Sequence, residues 1–179
     1  MAGFVQENCL IYAIFAKKTI MIQRIQSLLL LIVVAANVLI FFFPIATFEN
    51  ENLFYVYHLY IYQVSNMVPG SENLFADTMM LPLAAGVIVI GLLALITIFL
   101  YKTRLMQMRI IKIDIFLNIL LIVVFFFFFV NTIETKLETT ADYHYLTVSF
   151  PLISLLFLVL SYRAILRDEK LVRSADRLR

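Results

Sequence analysis

The chain is poor in the residues that build disulfides, phosphate-binding loops and soluble surfaces. Its single cysteine, Cys9, excludes an intrachain disulfide, and residues 6–8 lack the small and apolar side chains of a lipoprotein signal. The four glycines form neither a Gly-rich phosphate loop nor a G-x-S-x-G elbow. Charged residues make up 15% of the chain, against about 25% in soluble domains. This composition indicates one small membrane domain.

Apolar sequence is what the chain has in abundance, since 63% of its 179 residues are hydrophobic. Four apolar stretches are each long enough, or nearly so, to cross a bilayer, at about residues 27–46, 79–101, 113–130 and 146–162. Lipid offers no hydrogen-bond partner to bare backbone groups, so each stretch must be helical. The sequence predicts an all-α membrane protein with four transmembrane helices in an up-down-up-down bundle.

Basic residues predict the orientation of these helices. Thirteen of the 14 lie in the N-terminal segment, in the turn Lys102–Lys112, and in the C-terminal tail Arg163–Arg179. Because basic residues mark cytoplasmic segments, we expect both termini and this turn inside, with Thr47–Thr78 and Asn131–Tyr145 outside.

The first twenty residues resemble an extension rather than part of the domain. Cys9–Ala16 is apolar but too short to span. The positive segment Met21–Ser27 then directly precedes the first long apolar stretch, as small membrane proteins usually begin. We predict that residues 1–20 are a mis-called extension and that residues 21–179 form the single membrane domain.

The predicted first outer loop is rich in aromatic and β-branched residues. Its segment Leu53–Val64 favours one or two short strands or a flat aromatic cap, with turn signals at Ser65–Asn66 and Pro69–Gly70. The candidate outer aromatic surface is either an interfacial anchor or a partner surface. It comprises Tyr55, Tyr57, His58, Tyr60 and Tyr62.

Polar residues inside the predicted spans are few: Asn37, Asp114 and Asn118. Asp114 and Asn118 are four residues apart and therefore share a helix face. One interpretation is structural, with Asp114 paired to Arg109 or Lys112 and the amides hydrogen-bonded between helices. The other is a proton or ion relay in a small transporter or channel subunit.

The two histidines, His58 and His144, both fall outside the predicted spans, and Asp142 is near the second. These ligands are too few and wrongly spaced for a recognisable zinc motif. We therefore predict no catalytic residue, no metal and no cofactor. A metal-dependent membrane enzyme using these histidines is kept as a third alternative.

The tail carries both signs of charge, and Glu169 and Arg173 are spaced for a helical ion pair. This pattern predicts an amphipathic helix that runs off the fourth span and either rests on the anionic inner leaflet or docks to a cytoplasmic protein. Nothing else in the sequence indicates nucleic-acid binding. The candidate contact residues are Arg167, Lys170, Arg173, Arg177 and Arg179.

The opening Met21–Ser27 and the ending Arg167–Arg179 resemble the domain of unknown function 4293 family of small bacterial four-span proteins. The resemblance covers residues 21–179 and implies an inner-membrane helical protein without assigning an activity. A longer first outer loop of strand-like composition also resembles claudin-like four-span proteins, although it is shorter here and lacks a cysteine pair. We predict a non-enzymatic accessory or scaffold subunit, with lipid and an unidentified membrane or cytoplasmic protein as partners.

Overall fold

The computed structural model describes residues 25–50, 55–67, 75–76, 78–100 and 103–176. Within these ranges the chain forms four helices and four short strands. The helices are α1 (Ile25–Leu39), α2 (Leu81–Phe99), α3 (Arg104–Leu137) and α4 (Tyr145–Asp176). The strands are β1 (Ala46–Asn50), β2 (Tyr55–Leu59), β3 (Val64–Asn66) and β4 (Asp142–Tyr143). Helix α3 contains a π-helical stretch, Phe125–Val130.

Three helices of the described residues, α2, α3 and α4, are long and apolar enough to cross a membrane, judged by length and composition. Pro82 lies in the first turn of α2, where its missing N–H costs little. Helix α1 is apolar but shorter, about 22 Å at 1.5 Å per residue over its described residues. The prediction of apolar helices is thus confirmed for three long ones, with α1 as a fourth, shorter helix.

The predicted helix ends are wrong in several places. Helix α1 ends at Leu39 rather than Ala46, which already belongs to β1. Helix α3 begins at Arg104, so most of the predicted turn Lys102–Lys112 is helical. By contrast, the predicted helix running off the fourth span is confirmed, since α4 continues past Tyr162 to Asp176. Hydropathy locates apolar stretches, whereas helices also extend through Arg, Lys and Glu, which favour helix.

A four-stranded antiparallel sheet, in the order β3-β2-β1-β4, accompanies the helices, so the chain is not all-α. The predicted strand within Leu53–Val64 is confirmed as β2. Three strands come from the first predicted outer loop, whereas β4 comes from the second and pairs with β1. The predicted turn at Ser65–Asn66 is wrong, because both residues lie in β3 and pair with His58 and Tyr57. Cross-strand pairing therefore outweighs the turn preference of these two residues. Pro69–Gly70 lies outside the described residues.

Two buried clusters hold these elements together. One joins the sheet to α2 and α3, through Phe48, Tyr57, Leu83, Phe129 and Ile133. The other draws on all four helices, through Leu30, Val33, Ala94, Ile111, Leu158 and Ile165. The sheet thus packs on one end of a shared helical core.

Small residues of α2 bring its backbone close to two neighbouring helices. A Cβ atom at Gly86 would lie 3.0 Å from Leu121 Cδ1 of α3, which is closer than an ordinary contact. A Cβ atom at Gly91 would lie 3.7 Å from Asn37 Cβ of α1. These glycines therefore bring α2 close to α1 and α3, as small residues do in membrane helices.

Candidate functional site in the helix bundle

A polar node joins three helices inside the bundle. Ser154 of α4 accepts hydrogen bonds from Asn37 Nδ2 of α1, at 3.1 Å, and from Asn118 Nδ2 of α3, at 3.0 Å. Asn37 Nδ2 also donates to the Val33 carbonyl oxygen of its own helix, at 2.8 Å. Ser154 and Asn118 are both buried. The structure thus brings together two of the three polar residues that the sequence singled out.

The node lies on the buried faces of α3 and α4. On α3 this face includes Ile111, Asp114 and Asn118, whose spacing of three and four residues places them along one side of the helix. On α4, Ser154, Leu158, Ser161 and Ile165 recur at the same helical spacing, and all are buried. Each helix therefore turns a partly polar stripe towards its neighbours.

Asp114, the third predicted residue, lies one turn from Asn118 and has no exposed surface. Neither carboxyl oxygen has a hydrogen-bond partner among the described residues. The predicted pairing with Arg109 or Lys112 is wrong. The Lys112 ammonium lies instead 5.5 Å from the centre of the Tyr162 ring, in cation–π geometry.

Other buried polar groups complete the interior of the bundle. Gln107 Nε2 donates to the Thr97 carbonyl oxygen, at 3.0 Å, and links α3 to α2. Gln26 near the start of α1 donates to the Asp168 carboxylate of α4. Two largely apolar cavities beside α3, of about 110 and 300 Å³, are not lined by Asn37, Asp114 or Asn118. The polar stripe is therefore packed inside the bundle and does not line either cavity.

Sequence reasoning did not identify Ser154 or Ser161. Their signal is present in the sequence, because two serines seven residues apart in an apolar helix share one face. Serine is common at membrane-helix contacts, so this signal alone does not separate a binding residue from a packing residue.

The predicted outer aromatic residues do not form one surface. Tyr57 faces the core and stacks edge-on with Phe75, with ring centres 5.8 Å apart, because alternate residues of a strand point to opposite faces. Tyr60 and Tyr62 are partly exposed neighbours, with ring centres 5.7 Å apart. Tyr55 pairs with Asn50, and its side chain lies outside the described part of the chain.

The histidines lie close to one cross-strand row of the sheet. His58 and Asp142 each pair with Thr47, on opposite sides, so these three residues share a face. Thr47 Oγ1 is 2.9 Å from His144 Nε2. Among the described residues, no three His, Cys, Asp or Glu side chains are grouped to hold a metal ion. Burial, together with the nearby Glu134 carboxylate, raises the pKa of Tyr143 in β4.

The tail residues are only partly described. Arg167 and Lys170 are exposed on α4, and so are the apolar side chains of Leu171 and Val172. The side chain of Arg173, together with Arg177 and Arg179, lies outside the described residues.

These features define a small, mostly helical protein with three helices of membrane-spanning length, a buried polar node and a small antiparallel sheet. The chain belongs to the family named domain of unknown function (DUF4293), whose model matches residues 22–178. No curated protein matches the chain.

Proposed function

We propose that this chain is a four-span protein of the bacterial cytoplasmic membrane, acting as a non-enzymatic accessory or scaffold subunit. The observation that carries this proposal is the length of α4. Its 32 residues, Tyr145–Asp176, extend about 48 Å at 1.5 Å per residue, whereas a hydrocarbon core is about 30 Å thick. The charged tail is therefore a continuation of the last span, and it would project beyond the bilayer.

The proposed topology places both termini on the cytoplasmic side. The hydrogen bond between Gln26 and Asp168 brings the start of α1 and the end of α4 to one end of the bundle. The pairing of β1 with β4 brings both predicted outer loops to one sheet. Together with the basic residues, these contacts support four spans with the sheet outside. A claudin-like variant of this arrangement stays an alternative.

The partner that best fits the tail is a cytoplasmic protein with an acidic surface around an apolar patch. Arg167 and Lys170 supply exposed positive charge, while Leu171 is 56% exposed and adjacent to them. A helix that continues the span cannot lie flat on the inner leaflet without a break, so α4 favours a protein contact over a lipid contact. The aromatic pair Tyr60 and Tyr62 offers a second contact on the outer side.

We expect partner binding to depend on the exposed charges of α4. The test is affinity purification of the tagged protein from native membranes in mild detergent, read by mass spectrometry. A stoichiometric partner should be recovered with the parent protein and lost with Arg167→Glu/Lys170→Glu or with residues 167–179 removed. The charge reversal Arg109→Glu, at an exposed position of α3, is the matched control and should retain the partner.

Recovery of the lone protein from every sample would contradict the accessory role. Loss of the partner with Arg109→Glu as well would contradict the role assigned to the tail.

A small transporter or channel subunit is the second candidate function. The observation that favours it is the buried Asp114 carboxyl without a partner among the described residues, because ionisable groups inside spans commonly mark ion or proton pathways.

A further inference from the structure

We propose that Asp114 and Ser161 form a binding site for a monovalent cation of the size of Na⁺ between α3 and α4. The site goes beyond the accessory role and does not depend on the tail. It requires only the packing of α3 against α4 that the structure shows.

Unpartnered oxygen atoms carry the proposal. Within the described part of the chain, the buried side-chain atoms without a hydrogen-bond partner include both carboxyl oxygens of Asp114, the amide oxygen of Asn118 and the hydroxyl of Ser161. All three residues are at most 2% exposed. Burying polar atoms without partners is unfavourable, so these atoms require compensation. A cation between Asp114 and Ser161 would supply it for the oxygens of these two residues.

The helix geometry brings these atoms towards one another. Asn118 uses its amide nitrogen to bond Ser154, which leaves its oxygen as a free acceptor. The same contact places Ser154 level with Asn118. Because α3 and α4 are antiparallel, Asp114, four residues from Asn118, and Ser161, seven residues from Ser154, lie towards the same end of the bundle. At 1.5 Å per residue, Ser161 therefore lies about 4.5 Å further along the axis than Asp114. Side chains lean towards the N-terminus of their own helix. Asp114 and Ser161 therefore lean towards each other.

The chemistry of the donors selects the ion. Carboxylate and hydroxyl oxygens are hard ligands that suit Na⁺ or Mg²⁺ rather than soft metals. Asp114 contributes one negative charge, and no three acidic, histidine or cysteine side chains are grouped to hold a metal among the described residues. A single carboxylate balances a monovalent ion and leaves a divalent ion with uncompensated charge.

A proton provides a partner for fewer of these oxygen atoms than a metal cation does. A proton on Asp114 forms one hydrogen bond, and only to an oxygen within about 3 Å at a suitable angle. None of the four oxygens is placed to hydrogen-bond to another. A cation between them is bound at the same time by every acceptor that faces it.

The experiment measures the thermal unfolding of the purified full chain in detergent, in NaCl and in choline chloride at equal ionic strength. NaCl should raise the midpoint of the parent protein by roughly 3–6 °C for each tenfold increase above the dissociation constant. The midpoint of Asp114→Asn should not respond. Asp142→Asn, which removes an exposed carboxylate of the sheet, is the matched control and should respond like the parent.

Equal shifts of the unfolding midpoint for Asp114→Asn and the parent would overturn the proposal, because NaCl would then stabilise the protein without binding at Asp114. A shift that follows pH and not NaCl would also overturn it and would identify a proton site. If Asp114→Asn does not fold, binding of ²²Na⁺ to the parent protein decides. Saturable binding that unlabelled Na⁺ displaces and choline does not displace supports the site, and its absence overturns it. These outcomes are independent of partner recovery through the tail.

Discussion

Phe48→Ala should destabilise the sheet by about 3–5 kcal/mol, the usual cost of removing a buried aromatic ring. Phe48 lies in β1, is 1% exposed and pairs with Tyr57 across the strands. It belongs to the cluster that joins the sheet to α2 and α3. Its loss would therefore loosen the sheet as well as its attachment to the helices.

The measurement is urea unfolding in detergent, followed by tyrosine fluorescence, since the chain has no tryptophan. Glu49→Ala is the control, because Glu49 is the next residue of β1 and is exposed. It should change the free energy of unfolding by less than about 0.5 kcal/mol. Equal effects of the two substitutions would show that the sheet does not pack on the helices as described.

Ser154→Ala should destabilise the bundle by about 1–3 kcal/mol. The substitution removes the acceptor shared by Asn37 and Asn118, so each amide group loses one hydrogen bond inside the bundle. Hydrogen bonds between membrane helices contribute about 0.6–1.7 kcal/mol each. The loss should therefore approach the sum of two such bonds.

Unfolding in mixed micelles with increasing SDS measures this loss. The matched control is Ser149→Ala on the same helix, whose hydroxyl donates to the Leu146 carbonyl oxygen in its own preceding turn. A change below about 0.5 kcal/mol is expected there. If the two serine variants are equally stable, the node does not hold α1, α3 and α4 together.

The long helices were predictable from sequence because their signal is local. Each apolar stretch contains its own evidence, and α2 matches its predicted range to within two residues at either end. The strand β4 was not predicted because it forms by pairing with β1, across more than 80 residues of chain. Ala46–Asn50 is short, and hydropathy assigned its first residue to the preceding span.

The polar site was predictable only in part, because its long-range contacts leave no local signal in the sequence. Asn37, Asp114 and Asn118 were identifiable because an amide or carboxyl in an apolar stretch is unusual. The role of Ser154 depends on the contact between α1, α3 and α4 at its position, which no local sequence pattern indicates. The tail was predictable as an amphipathic helix running off the last span, and α4 continues through it to Asp176.

The most direct test of the account is the sidedness of two single cysteines in a Cys9→Ser background. Thr140→Cys lies between α3 and β4, and Ser174→Cys lies near the end of α4; both positions are exposed. A membrane-impermeant maleimide is applied to spheroplasts before and after permeabilisation. We predict labelling of Thr140→Cys in intact spheroplasts and of Ser174→Cys only after permeabilisation. Labelling of both cysteines from the same side would contradict the four-span topology with an outer sheet and a cytoplasmic tail.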